Sequence, residues 1–359
     1  MKIAITGARG TVGRACVKLC SKAGHATVQI DRTEQDFDGT PNSEMRTADV
    51  ANDYDAVVKA FKGCDALIHL AALPDPVGKD DWMVHNNNVN AAFNGFHAAA
   101  TLGINRVCYA SSVNAVGLAY ANRPLKFDYL PLDEEAPQRP TDSYALAKEE
   151  AEAQARSFVN WFPGMNIACL RIHEVAPLKD VQKEHESNWE EAAVKQLWGW
   201  VNPEAVARAC LLSVERAENL KGCQVLNIAA PTTTQSTPSA ELAKKYYPNA
   251  EIRPGLEGNK AFWTTDKAKR IIGWVHEEKD RCHRSLRVGL SSITSSKRKT
   301  ITLTLPIPKP DLKVLDTALS PRILFGLQRR SSSITRPDPS LLIVLRDKGQ
   351  VDYARFQGN

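Results

Sequence analysis

The stretch TGARGTVG, residues 6–13, decides the fold of this chain. It follows the apolar run KIAI and precedes a segment of helical pattern from Thr11 to Ala23. Gly7 permits a tight turn, Gly10 lets the backbone approach a pyrophosphate, and Gly13 lets the helix pack closely on the strand. Free N–H groups at the start of such a helix bind phosphates. The stretch therefore predicts a dinucleotide-binding turn between a first strand and a first helix.

Apolar runs alternate with helical segments along most of the remaining chain, and each run is nearly continuous. This pattern favours a parallel sheet that is covered on both faces. We therefore expect an α/β, Rossmann-type doubly wound parallel sheet. The predicted later strands are ATVQID (26–31), MRTADV (45–50), DALIHLAA (65–72), RVCYASS (106–112), NIACLRI (166–172) and QVLNIA (224–229). The predicted later helices are 54–61, one that ends near Leu102, 142–162, 203–215, 239–247 and 265–272.

The 359 residues divide into a globular part and a basic tail. We expect residues 1–280 to form the domain, with a dinucleotide-binding part to about 170 and a small substrate-binding part over 171–280. Residues 281–359 hold 15 Lys and Arg against 5 Asp and Glu, which leaves 31 basic and 36 acidic residues for 1–280. The tail is rich in serine and shows no periodicity, so we expect it to be disordered. A basic, serine-rich segment could bind nucleic acid or be phosphorylated; the alternative interpretations are a translated intron and a faulty gene model.

Composition excludes several classes of protein. No apolar run reaches membrane-spanning length, and the first residues resemble a strand more than a signal peptide, so we expect a cytoplasmic protein without membrane contact. The eight cysteines form no CxxC pair and lie near no histidine cluster, which favours reduced thiols over disulfides or a metal site. Because the basic excess belongs to the tail, it does not indicate a nucleic-acid partner for the main domain.

An acidic residue, Asp31, ends the second predicted strand. A carboxylate there accepts hydrogen bonds from an adenosine ribose and repels a 2′-phosphate, so we expect NAD. Arg9 and Arg32 lie nearby and could hold a 2′-phosphate, which leaves NADP open. The other predicted cofactor contacts are in the glycine turn and at two strand ends: Thr11, Val12, Asp49, Val50, Leu70, Ala71 and Ala72.

The run SYALAK, residues 143–148, places Tyr144 and Lys148 on one helical face. An ammonium near a phenol stabilises the phenolate and lowers its pKa from about 10. Such a tyrosine can exchange a proton with a substrate hydroxyl while hydride moves to or from the same carbon. The serines of YASS (109–112) end a strand at the edge where doubly wound sheets bind ligands. A serine hydroxyl there could hold the substrate oxygen.

Taken together, these motifs resemble the extended short-chain dehydrogenases/reductases, the NAD-dependent epimerase/dehydratase group. The resemblance covers residues 1–280 and also rests on DALIHLAA, NVNAAFNGFHAAATLGINRVCYASSVNAVG (88–117) and LRIHEVAP (170–177). It implies Ser112 as the active-site hydroxyl, Tyr144 as the acid or base, and Lys148 as a holder of the nicotinamide ribose. It also implies Asn88 as the family's helix asparagine and a homodimer through the tyrosine helix and the helix before it. Val116 stands where the family often has a tyrosine.

The resemblance leaves the reaction open. Only about thirty residues follow Arg171 before WVNPEAVARA, which resembles compact uronate and aldose dehydrogenases more than enzymes of nucleotide-linked sugars. We expect an NAD(P)-dependent oxidoreductase for a small sugar-like or secondary-metabolite substrate. The alternatives are a nucleotide-sugar epimerase or dehydratase and a non-catalytic dinucleotide sensor. Candidate substrate contacts are Leu73, Asn114, His173 and Trp200, while Lys179 and Lys183 either meet an anionic substrate or face solvent.

Overall fold

The computed structural model describes residues 1–34, 37, 39–276, 341–346 and 350–355. Its strands are β1 Lys2–Thr6, β2 Ala26–Asp31, β3 Ser43–Thr47, β4 Ala66–His69, β5 Arg106–Ser112, β6 Tyr129–Leu130, β7 Asn166–Ile172, β8 Cys223–Ile228, β9 Glu251–Ile252, β10 Leu341–Arg346 and β11 Gln350–Arg355. Its α-helices are α1 Thr11–Lys22, α2 Tyr54–Phe61, α3 Asp81–Thr101, α4 Ser143–Trp161, α5 Leu178–Ser187, α6 Pro203–Glu215, α7 Ser239–Tyr246 and α8 Asp266–Ile272. Short 3₁₀ turns span Val113–Val116 and Ala217–Asn219, and a π-helical turn spans Trp189–Val194.

Seven strands form one sheet in the order β3-β2-β1-β4-β5-β7-β8. Every neighbouring pair in it is parallel. The strand order reverses between β1 and β4, which leaves a crevice at the carboxyl ends of these strands. The predicted doubly wound parallel sheet is confirmed.

Helices cover both faces of this sheet. On one face, Val17 of α1 and Val206 of α6 pack into a core with Ile5. On the other, Phe96 of α3 and Phe158 of α4 belong to a core that also takes in α2. Fully burying one such side chain contributes about 1.5–3 kcal/mol. Burial on both faces is why the strands are continuously apolar.

The third strand spans Ser43–Thr47, so it begins and ends earlier than the predicted 45–50. The carboxylate of Asp49 accepts hydrogen bonds from the backbone N–H groups of Ala51 (3.1 Å) and Asn52 (3.3 Å). A side chain that takes up backbone donors in this way starts a turn and ends the strand.

A third core lies beyond the carboxyl edge of the sheet and includes Leu130, Trp198 and Phe262. It joins chain segments on both sides of residue 170, and the small parallel β6–β9 pair lies in the same region. In contrast, α6 and β8 also follow residue 170 but do not belong to this third core: β8 is a strand of the main sheet, and α6 is one of the helices that cover it. The division of the domain at about residue 170 stays a prediction.

Strands β10 and β11 form an antiparallel pair in a unit separate from the main domain. Our expectation of disorder for the rest of 281–359 falls outside the described residues. The seven described cysteines are free thiols, and no described group of three ligating side chains could hold a metal ion. Within the described part, no helix has the length and apolar character needed to cross a membrane.

Candidate active site

A cavity of about 730 Å³ runs along the carboxyl edge of the sheet, within the size range of small-molecule and cofactor sites. The structure brings most of the predicted site residues to its wall: Gly7, Gly10, Thr11, Val12, Gly13, Asp31, Arg32, Asp49, Val50, Leu70, Ala71, Ala72, Leu73, Ser112, Asn114, Tyr144, Lys148 and His173. Three predicted residues, Arg9, Asn88 and Trp200, do not lie on the wall.

The glycine turn forms one end of the cavity. Gly7 has φ +64°, and a Cβ atom there would lie 3.0 Å from the backbone N of Ala71. A Cβ atom on Gly13 would lie 2.3 Å from the carbonyl oxygen of Gly7, so only glycine lets α1 pack against the end of β1. Gly10 is the N-cap of α1 and makes no side-chain cap. The first N–H groups of α1 therefore remain available to a phosphate.

Asp31 defines the adenosine end of the cavity. Its carboxylate accepts hydrogen bonds from the backbone N–H of Arg9 (3.1 Å) and of Arg32 (2.9 Å). The Arg9 guanidinium instead donates to Oε1 of Gln29 at 2.8 Å, away from the cavity wall. Of the two arginines considered for a 2′-phosphate, only Arg32 lies on the wall.

A buried histidine shapes the turn after β4. Nε2 of His69 donates to the carbonyl oxygen of Ala91 (2.8 Å), so Nδ1 accepts from the hydroxyl of Thr6 (2.7 Å). The Thr6 oxygen in turn accepts from the backbone N–H groups of Leu70 and Ala71, both at 3.1 Å. These bonds end β4 at His69, earlier than predicted, and fix the backbone of 70–72 beside the glycine turn.

Two neutral histidines make stability depend on pH. Burial lowers the pKa of His69 to about 4 and that of His173 to about 3. Below pH 6.5 both histidines become protonated in the unfolded chain but stay neutral in the folded protein. The free energy of unfolding therefore falls as the pH falls. We expect these two groups to remove about 2.5 kcal/mol between pH 7.5 and 5.5, measured by urea unfolding. Histidine NMR signals that titrate near pH 6.5 at both positions would contradict this.

Asn88 supports the loop after β4 and does not contact the cavity. Its amide nitrogen donates to the carbonyl oxygen of Leu73 (3.0 Å), and its amide oxygen accepts from the N–H of the same residue (2.8 Å). Both halves of the side chain are occupied by Leu73, which itself lies on the wall. Asn88 is therefore a positioning residue here, and its neighbour Asn87 reaches the cavity.

Ser112, Tyr144 and Lys148 converge in the middle of the cavity. Ser112 ends β5, and both other residues lie in the first turns of α4, which begins after the N-cap Asp142. The Ser112 hydroxyl oxygen accepts from the backbone N–H of Asn114 at 3.1 Å and lies close enough to the Tyr144 phenol to oppose the rise of its pKa. Nζ of Lys148 lies 5.5 Å from the centroid of the Tyr144 ring and donates to the carbonyl oxygen of Ala110 at 2.6 Å. A hydroxyl, a phenol and an ammonium thus face one space.

The protonation of this group differs from our expectation. Burial raises the pKa of Tyr144 to about 12, and the nearby Ser112 hydroxyl opposes that shift. Burial also lowers the pKa of Lys148 to about 8, and its ammonium donates to the carbonyl oxygen of Ala110. At neutral pH the phenol is therefore protonated, so it can donate to a carbonyl oxygen in reduction, and it must first lose this proton to act as the base in oxidation.

A buried ion pair fixes α4 against the sheet. Nε and Nη2 of Arg171 on β7 donate to the two carboxylate oxygens of Glu152 at 2.9 and 2.8 Å. The hydroxyl of Ser111, next to Ser112, donates to the same carboxylate at 2.7 Å. Two parallel charge-assisted bonds fix orientation as well as distance. This pair sets the register of the Tyr144 helix relative to the strand that carries Ser112.

At the substrate end, both ring nitrogens of His173 and the amide oxygen of Asn114 already have hydrogen-bond partners. Nδ1 of His173 accepts from the N–H of Glu174 (2.7 Å), and Nε2 donates to the carbonyl oxygen of Gln196 (3.1 Å). The amide oxygen of Asn114 accepts from the N–H of Ala119 at 2.9 Å. His173 therefore lines the cavity as a neutral ring without a free nitrogen.

Trp200 belongs to a small core away from the cavity. Its indole N–H donates to the carbonyl oxygen of Thr232 at 3.1 Å, and its ring packs with Val181 and Ala230. Val201, the next residue, forms a bridge with Val175, which turns this segment back towards the sheet. Trp200 is therefore a core residue here and not a substrate contact.

Sequence reasoning missed six polar residues on the wall, two of which are Asn87 and Ser111. Tyr120 contacts the Tyr144 ring edge-on, with centroids 5.8 Å apart. Glu174, Glu184 and Gln196 line the far end. Glu184 lies on α5, which the sequence analysis did not predict. Apolar residues at 178 and 181 and the buried His185, at helical spacing, are the signal that could have found this helix.

Comparison with known proteins agrees with this geometry. Residues 3–229 match the family described as the NAD-dependent epimerase/dehydratase family. The chain belongs to that family. It is thus an enzyme of the NAD-dependent dehydrogenase and epimerase type, and the resemblance inferred from the motifs is confirmed.

Curated relatives of this family member include sugar dehydrogenases. It is 29% identical over 211 residues to L-arabinose 1-dehydrogenase (NAD(P)(+)) of Haloferax volcanii, a match to 56% of this chain and 78% of the relative. It is 26% identical over 176 residues to a uronate dehydrogenase of Pseudomonas syringae pv. tomato, which covers 49% of this chain and only 60% of the relative. A solved short-chain dehydrogenase/reductase superfamily protein of Agrobacterium tumefaciens, with NAD bound, shares the fold (TM-score 0.57, 20% identity, 78% of this chain and 94% of that one).

Proposed function

We propose that this protein is an NAD(P)-dependent oxidoreductase that acts on a hydroxyl or carbonyl carbon of a small, sugar-like substrate. The observation that carries the proposal is that the glycine turn and the group Ser112, Tyr144 and Lys148 line one cavity. The dehydrogenases of free sugars among the relatives support it. A non-catalytic sensor would not need all three side chains.

Each side chain of the group has a distinct role. Tyr144 exchanges a proton with the substrate oxygen, and the Ser112 hydroxyl on the same wall holds that oxygen. Lys148 binds the ribose next to the nicotinamide and places a positive charge near the phenol. The glycine turn, the start of α1 and Asp31 would hold NAD, which accepts or donates the hydride when bound.

The reaction class is tested by absorbance at 340 nm. We expect the full-length protein with NAD to show a net increase with at least one sugar from a panel of free aldoses and uronates. Nucleotide sugars serve as the comparison, with products analysed by NMR. Turnover of a nucleotide sugar without net absorbance change would indicate an epimerase or dehydratase instead.

Asp31 should set the preference for NAD. We expect Asp31→Ser to raise the ratio of kcat/KM with NADP to kcat/KM with NAD by about tenfold or more, because a carboxylate beside a 2′-phosphate is removed while Arg32 remains. Asp55→Ser, which removes an exposed carboxylate of α2 off the cavity wall, is the control. An unchanged ratio in Asp31→Ser would show that the carboxylate does not discriminate.

We also propose a homodimer through α3 and α4. These helices pack together and expose large apolar side chains, among them Trp82, Phe93, Leu146 and Trp161. We expect light scattering to give about twice the chain mass of 39.5 kDa, and Trp82→Glu to give the single-chain mass. Val275→Glu, an exposed site on neither helix, should remain dimeric. A wild-type protein of single-chain mass would refute the dimer.

A cytoplasmic location is our further proposal. Cys16, Cys108 and Cys210 are buried in one core cluster, yet all three are free thiols. Close but unpaired thiols are typical of proteins in a reducing compartment.

A further inference from the structure

The far end of the cavity carries carboxylates. Glu174 follows β7 and Glu184 lies on α5, and both are on the wall. The lysine and arginine side chains on the wall are Lys148, in the catalytic group, and Arg32, beside β2. Because β2 and β7 are four strands apart, Arg32 is roughly 19 Å from this end. Among the described residues of the wall, no lysine or arginine other than Lys148 therefore lies near enough to pair with an anionic substrate group at this end of the cavity.

Glu174 offers an acceptor to the cavity. Its Oε2 accepts hydrogen bonds from Nε2 of His185 (3.3 Å) and from the amide of Gln196 (3.1 Å). No described residue donates to Oε1, and the side chain is 18% exposed. A substrate hydroxyl can donate to this oxygen, whereas a carboxylate or phosphate cannot and is repelled by it.

Glu184 adds a second negative charge at the rim. It is exposed, and no described cation forms an ion pair with it. The lysines that the sequence offers for an anionic substrate, Lys179 and Lys183, lie on the same helix but not on the cavity wall. His173, the ring beside these carboxylates, is neutral because both its nitrogens are bonded to backbone.

We propose that this end of the cavity accepts an uncharged, polyhydroxylated substrate such as a neutral aldose and excludes sugars with a carboxylate or phosphate group. Glu174 accepts a substrate hydroxyl, and Glu184 repels an anion at the entrance. The inference rests on the proposed function and narrows it to one substrate class.

The test compares neutral aldoses with the uronates of the same configuration, using full-length protein and NAD. We expect the wild type to have the higher kcat/KM with the neutral sugars. Glu184→Gln should raise the uronate-to-aldose ratio of kcat/KM by about tenfold, mainly through KM for the uronate. The matched control is Glu186→Gln, an exposed glutamate of the same helix that is off the wall, and its ratio should stay at the wild-type value.

The outcomes separate this inference from the proposed function. If uronates are oxidised with the higher kcat/KM by the wild type, the dehydrogenase proposal stands and the inference is overturned. It is also overturned if Glu184→Gln leaves the ratio unchanged or if Glu186→Gln shifts it equally. If no sugar of either set reduces NAD, the proposed function fails and the inference fails with it.

Discussion

Replacing Tyr144 with phenylalanine is expected to lower kcat by about 10²–10⁴-fold, the usual contribution of a positioned proton-transfer group. The variant removes only the hydroxyl, which faces the same space as Ser112, and the ring keeps its place against Tyr120. NAD affinity should stay within about tenfold, because at most one hydrogen bond is lost. The measurement is steady-state kinetics together with calorimetric titration of NAD.

The control for this variant is Tyr54→Phe. It removes a phenol that is bonded to His97 and lies off the cavity wall, so kcat should not change. If Tyr144→Phe kept more than a tenth of the wild-type kcat, Tyr144 would not be the proton-transfer group. A loss of NAD binding far beyond tenfold would instead place Tyr144 in the cofactor site alone.

Glu152→Gln is expected to reduce the free energy of unfolding by about 3–5 kcal/mol, because it leaves the Arg171 guanidinium buried without its counter-charge. Both side chains are almost wholly inaccessible, at 0% and 3% exposure. For a domain of this size, the melting temperature should fall by roughly 10 °C. The change is measured by calorimetry or thermal unfolding.

Glu150→Gln on the same helix is the matched control. It breaks the contact between the Glu150 carboxylate and His85. The Glu150 side chain is 41% exposed, and exposed ion pairs contribute at most about 1 kcal/mol to stability. The double variant Glu152→Met/Arg171→Met removes both charges and should recover part of the lost stability. Equal melting temperatures for Glu152→Gln and Glu150→Gln would contradict the assigned role of the buried pair.

The fold could be predicted from sequence because its determinants are local. Gly7 and Gly13 are required by contacts within the first turn and with the adjacent strand end, and the alternation of strands and helices is visible in the hydrophobic pattern. In a parallel sheet, the carboxyl ends of the strands and the starts of the helices that follow them lie at the same edge of the sheet. The sequence therefore also predicts the relative placement of Ser112, Tyr144 and Lys148.

Properties set by burial could not be predicted in this way. The pKa values of Tyr144 and Lys148 depend on how completely the fold covers them, and burial acts against the effect that their spacing suggests. The places of Arg9 and Trp200 likewise depend on long-range partners, Gln29 and Thr232, which no local pattern indicates. Glu184 was missed because α5 was missed, whereas Glu174 lies outside α5, directly after the predicted His173.

The most direct test of the central claim follows the hydrogen on the reacting carbon. A sugar that the protein oxidises is labelled with deuterium at that carbon, and the products are analysed by mass spectrometry and NMR after incubation with NAD. We expect the deuterium on C4 of the nicotinamide in released NADH, and about 10²–10⁴-fold slower transfer in Tyr144→Phe. Deuterium that stays on an epimerised sugar, or transfer at the wild-type rate in Tyr144→Phe, would contradict the account.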